Sequence, residues 1–164
     1  MGRGSTGLIA GLCAALAIAC SPQPGADNAI AEQARPAVHP VSGLEIIPVT
    51  VSSDEASHEF HAELADTPEL QKKGLMFRTE LGPDEAMLFP NEEPTARSFW
   101  MKNTPIPLDI IFVGLDGRIA NIAAMAEPYS EEPVYSIGST SAVLEISGGR
   151  AEELGIEPGD RVSW

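Results

Sequence analysis

The chain is predicted to be all-β with two short helices, folded as a jelly-roll-like β-sandwich or a partly open barrel. Three features predict this. Short apolar or alternating runs recur between turn-forming clusters. Glycine and proline punctuate the chain heavily, with 15 Gly and 14 Pro among 164 residues. Helix start and stop chemistry occurs in only two places. Many strands, few helices and frequent breaks argue for packed sheets. Residue periodicity alone leaves sandwich and barrel both open.

The strands are read in order. LEIIPVTV (44–51) and HEFHAELA (58–65) alternate or run apolar between turn signals. GLMF (74–77), AMLFP (86–90) and SFWM (98–101) follow. LDIIFVG (108–114) and RIANIAAMA (118–126) flank Leu115-Asp116-Gly117, a hairpin signal because Asp-Gly tolerates positive φ. AVLEIS (142–147) and RVSW (161–164) complete the set. The first helix is placed after Thr67, whose hydroxyl can cap it, with Pro68 in the first helical position and Glu69 near the positive dipole end. The second covers Arg150 to Leu154 and stops at Gly155, a natural C′ residue.

The ends suggest a compartment. Residues 1–19 carry one positive charge, Arg3, then a small and apolar run from Gly7 to Cys20 that is too short for a permanent membrane span. Ala17 and Ala19 suit a signal peptidase, and Ala17-Ile18-Ala19-Cys20 also resembles a lipobox with its leucine one place early, at Leu16. Both readings cut after Ala19. The expectation is an exported lipoprotein anchored through Cys20, facing the periplasm or the cell exterior; the alternative is a secreted protein with an accidental cysteine. Cys13 leaves with the signal and Cys20 carries lipid, so no intrachain disulfide is expected. Residues 20–43, with their scattered prolines and alanines, read as a flexible tether, which leaves residues 44–164 as a single domain.

Charge narrows the partners. The formal net charge is −14, which repels phosphate backbones and anionic lipid heads. Nucleic acid is therefore not expected as a partner, and membrane contact is expected through the lipid anchor only.

Several of these segments together carry a resemblance. GLMFR (74–78), the acidic stretch running into AMLF (84–89), FWMKNTPIPLDIIFVGLDG (99–117), LEI (144–146) and GIEPGDRV (155–162) occur in that order. They resemble the family called domain of unknown function 192, small bacterial and archaeal proteins, over nearly all of residues 45–164. Ala86 departs from the glycine usual before Met-Leu-Phe, a change that bears on a turn more than on a site. The resemblance implies a β-rich, jelly-roll-like sandwich with exported or lipid-anchored members. It implies no established activity.

Candidate site residues cluster around the loop KNTPIPL (102–108). Strand alternation puts Phe99 and Met101 on one face and Trp100 with Lys102 on the other. Asn103-Thr104 before Pro105 suits a rigid turn, and Pro107 stiffens its far side; a preorganised loop suits a binding edge. The bland reading is a structural corner capped by Trp100. Asp109, inside an apolar strand, needs a partner if buried; the turn amides of Asn103 and Thr104, Lys102 and Arg78 are the candidates. Arg78 and Glu145 either join a polar cluster around the loop or face outward. For Glu145 the outward position is favoured, because Leu144 and Ile146 would share the core face.

No metal site and no cofactor are expected. His58 and His61 fall on opposite faces of one strand and cannot turn to one ion without a bulge. No phosphate loop, nucleophile elbow or zinc-protease helix is present, and no residue is assigned a catalytic role. The leading expectation is binding of a small or extended polar ligand, possibly carbohydrate, at Arg78, Trp100, Lys102, Asn103, Asp109 and Glu145. Two rivals are a module that docks an envelope protein, and a hydrolase that uses Asp109 or Glu145 and needs two groups converging in one pocket.

Overall fold

The computed structural model describes residues 37–164. Nine strands and two helices follow one another: β1 (Ile46–Ser52), β2 (Ser57–Leu64), α1 (Pro68–Lys73), β3 (Glu85–Thr95), β4 (Ser98–Phe99), β5 (Leu108–Gly114), β6 (Ile119–Ala126), β7 (Val134–Tyr135), β8 (Thr140–Ser147), α2 (Arg150–Leu154) and β9 (Arg161–Ser163). Seven strands form one mixed sheet in the order β6-β5-β8-β3-β2-β1-β9, and β4 pairs with β7 in a small second sheet. Only β2 and β3 run parallel. Parallel neighbours need a crossover, and α1 with the turns after it supplies one.

The large sheet curls without closing into a barrel. Its edge strands meet at one corner through the bridge Arg118–Arg161, where Ile119 N–H donates to the Asp160 carbonyl and Val162 N–H to that of Gly117, both at 2.8 Å. Both faces of the sheet are covered. One carries Val49, Phe60, Leu88, Ile111, Leu144 and Ile146, closed over by Ala151 and Ile156. The other carries Met87, Phe89, Ile110, Phe112 and Val143, beneath Leu75, Met101 and the flank of β4. Burial on both faces explains the near-continuous apolar character of β5 and β8.

The capping chemistry read from the sequence is present. Thr67 Oγ1 accepts from Leu70 N–H at 3.3 Å with Pro68 at the helix start, and Gly155 ends α2 at φ 66°. Three segments differ from expectation. GLMF is no strand: it follows α1 directly, Gly74 caps that helix at φ 46°, and Met76 and Arg78 N–H close successive turns on the Lys73 and Leu75 carbonyls. Its apolar composition anchors the turn through buried Leu75. SFWM contributes only Ser98 and Phe99 to a strand, whose partner β7 is too short to carry a periodic signal. Residues 37–43, read as tether, fold back on the domain. Val38 pairs with Glu45, His39 is buried, and Ser42 Oγ donates to Glu63. The remainder of the tether, and Cys20, lie outside the described residues.

The loop after β4 is packed at both ends. Asn103 turns at φ 56°, and its carbonyl accepts from Phe77 N–H at 2.7 Å. At the far end Gly148 lies so close to Pro107 that a Cβ there would stand 2.8 Å from the proline Cβ. Only glycine allows that approach.

Candidate functional site

Between α1 and the segment 97–104 lies a cavity of about 700 Å³ whose floor is the covered face of the large sheet. The sheet contributes Phe89 from β3 and Glu145 from β8. The helix brings Glu69, Lys72 and Lys73 to one wall; Arg97, Trp100, Lys102 and Asn103 line the other. The helix places its lysines in its last turn, where the negative end of the helix dipole favours them.

Phe99 holds the second wall in place. Its ring meets Phe89 edge-on at 5.1 Å and Phe112 at 6.1 Å, geometries that aromatic quadrupoles favour. Arg97 lies over the outer face of Phe99, 5.3 Å from the ring centroid. It also donates to Gln71 Oε1 at 3.1 Å and to Asn91 Oδ1, tying this wall to α1 and β3. Partial burial draws its pKa below the ordinary arginine value, yet a guanidinium remains charged at neutral pH.

Glu145 is the unusual group. β8 pairs it with Met87 on one side and Ile110 on the other, two buried apolar residues. It is only 4% exposed, and no hydrogen bond from the described residues reaches its carboxyl. Burial pushes that carboxyl up to about 8, so at neutral pH it is protonated and can donate. The expected outward position is thus corrected. Alternation does set Glu145 opposite Leu144 and Ile146, but the opposite face is also covered, and its opening is the cavity.

Trp100 is 47% exposed, whereas Met101 beside it is 3% exposed. Lys102 Nζ stands 5.0 Å from the Trp100 ring centroid, a cation–π distance, and 3.7 Å from Glu131 in an exposed pair that contributes little. Trp100, Lys102, Asn103 and Glu145 therefore come together around one cavity.

Arg78 and Asp109 do not join them. Arg78 sits beyond the turn after α1, its Nη1 2.6 Å from Glu63 Oε1 and its Nη2 3.2 Å from His39 Nε2. That buried cluster ties residues 37–43 to β2. Asp109 is fully buried, and its side chain leaves the sheet on the face away from Glu145, since β5 pairs Asp109 with Ile146 and Ile110 with Glu145. It accepts from Met125 and Gly149 N–H at Oδ1, at 2.8 and 3.0 Å, and from Ala151 N–H at Oδ2, at 2.8 Å. None of the four partners expected for it is used. The two carboxyls on opposite faces cannot converge on one substrate bond. Among the described residues no group of three or more His, Cys, Asp or Glu is placed to hold a metal ion.

Sequence reading missed Arg97, Lys72 and Lys73. The available signal was composition: the chain has only three lysines, and all three line this cavity.

Comparison with known proteins agrees with the architecture. A protein of unknown function from Novosphingobium aromaticivorans DSM 12444 has a crystal structure similar to this chain, with TM-score 0.78 and 59% identity, covering 85% of this chain and 100% of its own. A protein described as a candidate transcription regulator from Sinorhizobium meliloti 1021 is similar with TM-score 0.71 and 36% identity, over 73% of this chain and 94% of its own. No curated protein matches. Residues 49–164 match the family described as "Uncharacterized ACR", and the chain therefore belongs to the domain of unknown function 192 family.

Proposed function

We propose that this domain binds a small polar ligand, with carbohydrate the leading class, in the cavity between α1 and the 97–104 segment. The observation that carries the reading is Glu145: a carboxyl only 4% exposed, without a hydrogen-bond partner among the described residues, at the floor of a cavity. Buried polar groups are normally satisfied, and one that opens into a cavity of ligand size is suited to a partner from outside. Trp100, Lys102 and Asn103 at the rim supply an apolar plate, a cation and an amide.

Binding can be followed by the emission of Trp100 in a Trp164→Phe background, since the chain has only these two tryptophans. A panel of neutral and acidic mono- and disaccharides should contain members that change the emission saturably. Glu145→Leu, which removes donor and acceptor together, should weaken that response about tenfold, the effect of losing a buried hydrogen bond. Trp100→Ala, followed calorimetrically, should remove binding while changing stability by no more than about 0.5 kcal/mol, as for exposed positions generally. A panel without a saturable binder, or binding that survives both substitutions, would end this reading.

The same proposal places the domain in the cell envelope, tethered through Cys20. The support is the sequence of residues 1–20; no helix among the described residues is long and apolar enough to cross a membrane. Cys20→Ser should move the protein from membrane to soluble fractions, because the acyl chains supply roughly 0.8 kcal/mol per buried CH₂. Unchanged partitioning would remove the anchor.

A further inference from the structure

The electrostatics of the cavity run against those of the protein. A chain of net charge −14 has ten Lys and Arg residues, and four of them, Lys72, Lys73, Arg97 and Lys102, line this one cavity. The ionised carboxylate facing them is Glu69, because Glu145 keeps its proton at neutral pH. Glu131, 3.7 Å from Lys102 Nζ, adds a second, and four cations against two carboxylates still leave a positive cleft in an acidic surface. Such a cleft concentrates anions that the rest of the molecule repels. Trp100 adds a second indication. One face of its ring already carries Lys102, so what it offers an incoming ligand there is a cation beside an apolar plate. A bare stacking platform for a neutral sugar would be uncovered.

We infer that the cavity selects a small ligand carrying an oxyanion, a carboxylate or phosphate, which the three lysines receive at the mouth while the Glu145 hydroxyl donates to a ligand oxygen at the floor. The inference rests on the cavity being a binding site and names the class of ligand it takes. Lys102 is well suited to the role: its side chain is 41% exposed and its pair with Glu131 is long and solvated, so it can turn to a ligand at small cost. Arg97, engaged by Gln71 and Asn91, shapes the wall and adds field.

The test compares galacturonate, glucose 6-phosphate and their neutral counterparts, galactose and glucose, by calorimetric titration of the purified protein at pH 6.5. The acidic sugars should bind at least tenfold more tightly than the neutral ones, and raising the salt from about 20 to about 500 mM should erase most of that advantage, as screening shortens the reach of charge. Lys72→Gln, Lys73→Gln and Lys102→Gln combined should bring acidic and neutral sugars to equal affinity. Affinity for the acidic sugars should also fall above about pH 8 as Glu145 ionises, and this pH dependence should vanish in Glu145→Gln. The stronger of the two acidic ligands identifies the group, carboxylate or phosphate. Equal, salt-insensitive binding of acidic and neutral sugars would overturn the anion preference and leave the binding site standing. Acidic sugars that bind the triple variant unchanged would place their site elsewhere. Absence of binding by all four would overturn both readings.

Discussion

Glu145→Gln should make the domain more stable, and the gain should grow with pH. The Glu145 carboxyl holds its proton to about pH 8 in the folded domain and loses it near its ordinary value of 4.5 when unfolded. Between those two values the folded state binds more protons than the unfolded state, so stability falls as pH rises through the interval. Each pH unit within it costs about 1.4 kcal/mol, giving about 3 kcal/mol by pH 7. Against a total of roughly 5–15 kcal/mol for a domain, that is a large sacrifice. A glutamine has no proton to lose and leaves this slope behind. Urea denaturation of both proteins at pH 4.5, 6 and 8 should show near-equal stability at the lowest pH and an advantage of several kcal/mol for the variant at the highest. The other titrating groups are common to both proteins, so the difference isolates position 145. A difference that stays flat with pH would mean that the folded carboxyl is ionised, and the cavity floor would then carry negative charge. That expected cost to stability is why the proposed function rests on the cavity, and not on the loop alone.

What was legible in the sequence follows from which forces are local. Thr67-Pro68, Leu115-Asp116-Gly117 and Gly155 act within a few residues, and their turns and caps could be read directly. The alternation about Phe99-Trp100-Met101-Lys102 likewise placed Trp100 on a different face from buried Met101. The face of Glu145 was legible too, but its burial was not. A period of two tells which residues share a face and does not tell whether a second layer covers it. Here α1 and β4 cover it, and the contact depends on strands distant in sequence. GLMF misled for a related reason: apolar residues after a helix can anchor a turn as well as build a strand. Lys72 and Lys73 share a cavity with Lys102 only because the crossover through α1 brings that helix over the same face as the β4 segment, a juxtaposition without local signature. Asp109 was recognised as needing partners, yet the partners lie 16 to 42 residues away along the chain.

Asp109→Ala should cost on the order of 4 kcal/mol, since three backbone N–H groups lose their acceptor and each unsatisfied buried group costs about 1–3 kcal/mol, incompletely additive. The geometry explains why one carboxylate serves so many. β6 places Ala124 and Met125 against the single residue Asp109, because the register steps from Leu108–Ala126 to Ile110–Ala123. Such a bulge leaves a strand N–H unpaired, and Met125, at φ 51°, offers its N–H to Asp109. On the other side the N-cap of α2 is Gly149, which has no side chain to cap it, and Asp109 caps that helix from a neighbouring strand through Gly149 and Ala151. One carboxylate thus fastens the β6 bulge and the start of α2 to the central sheet. Asp109→Asn is the sharper probe. An amide keeps one acceptor oxygen but turns an NH₂ toward at least one of the three donors, so it loses the Ala151 bond or the Met125 and Gly149 pair, and should cost about half as much as the alanine. Hydrogen exchange should show Met125, Gly149 and residues 150–154 opening far more readily, since local opening follows the contacts removed. Residues 102–107, which Asp109 does not touch, should keep their protection. Loosening of that loop in place of α2 would show that Asp109 supports the cavity wall and not the start of α2.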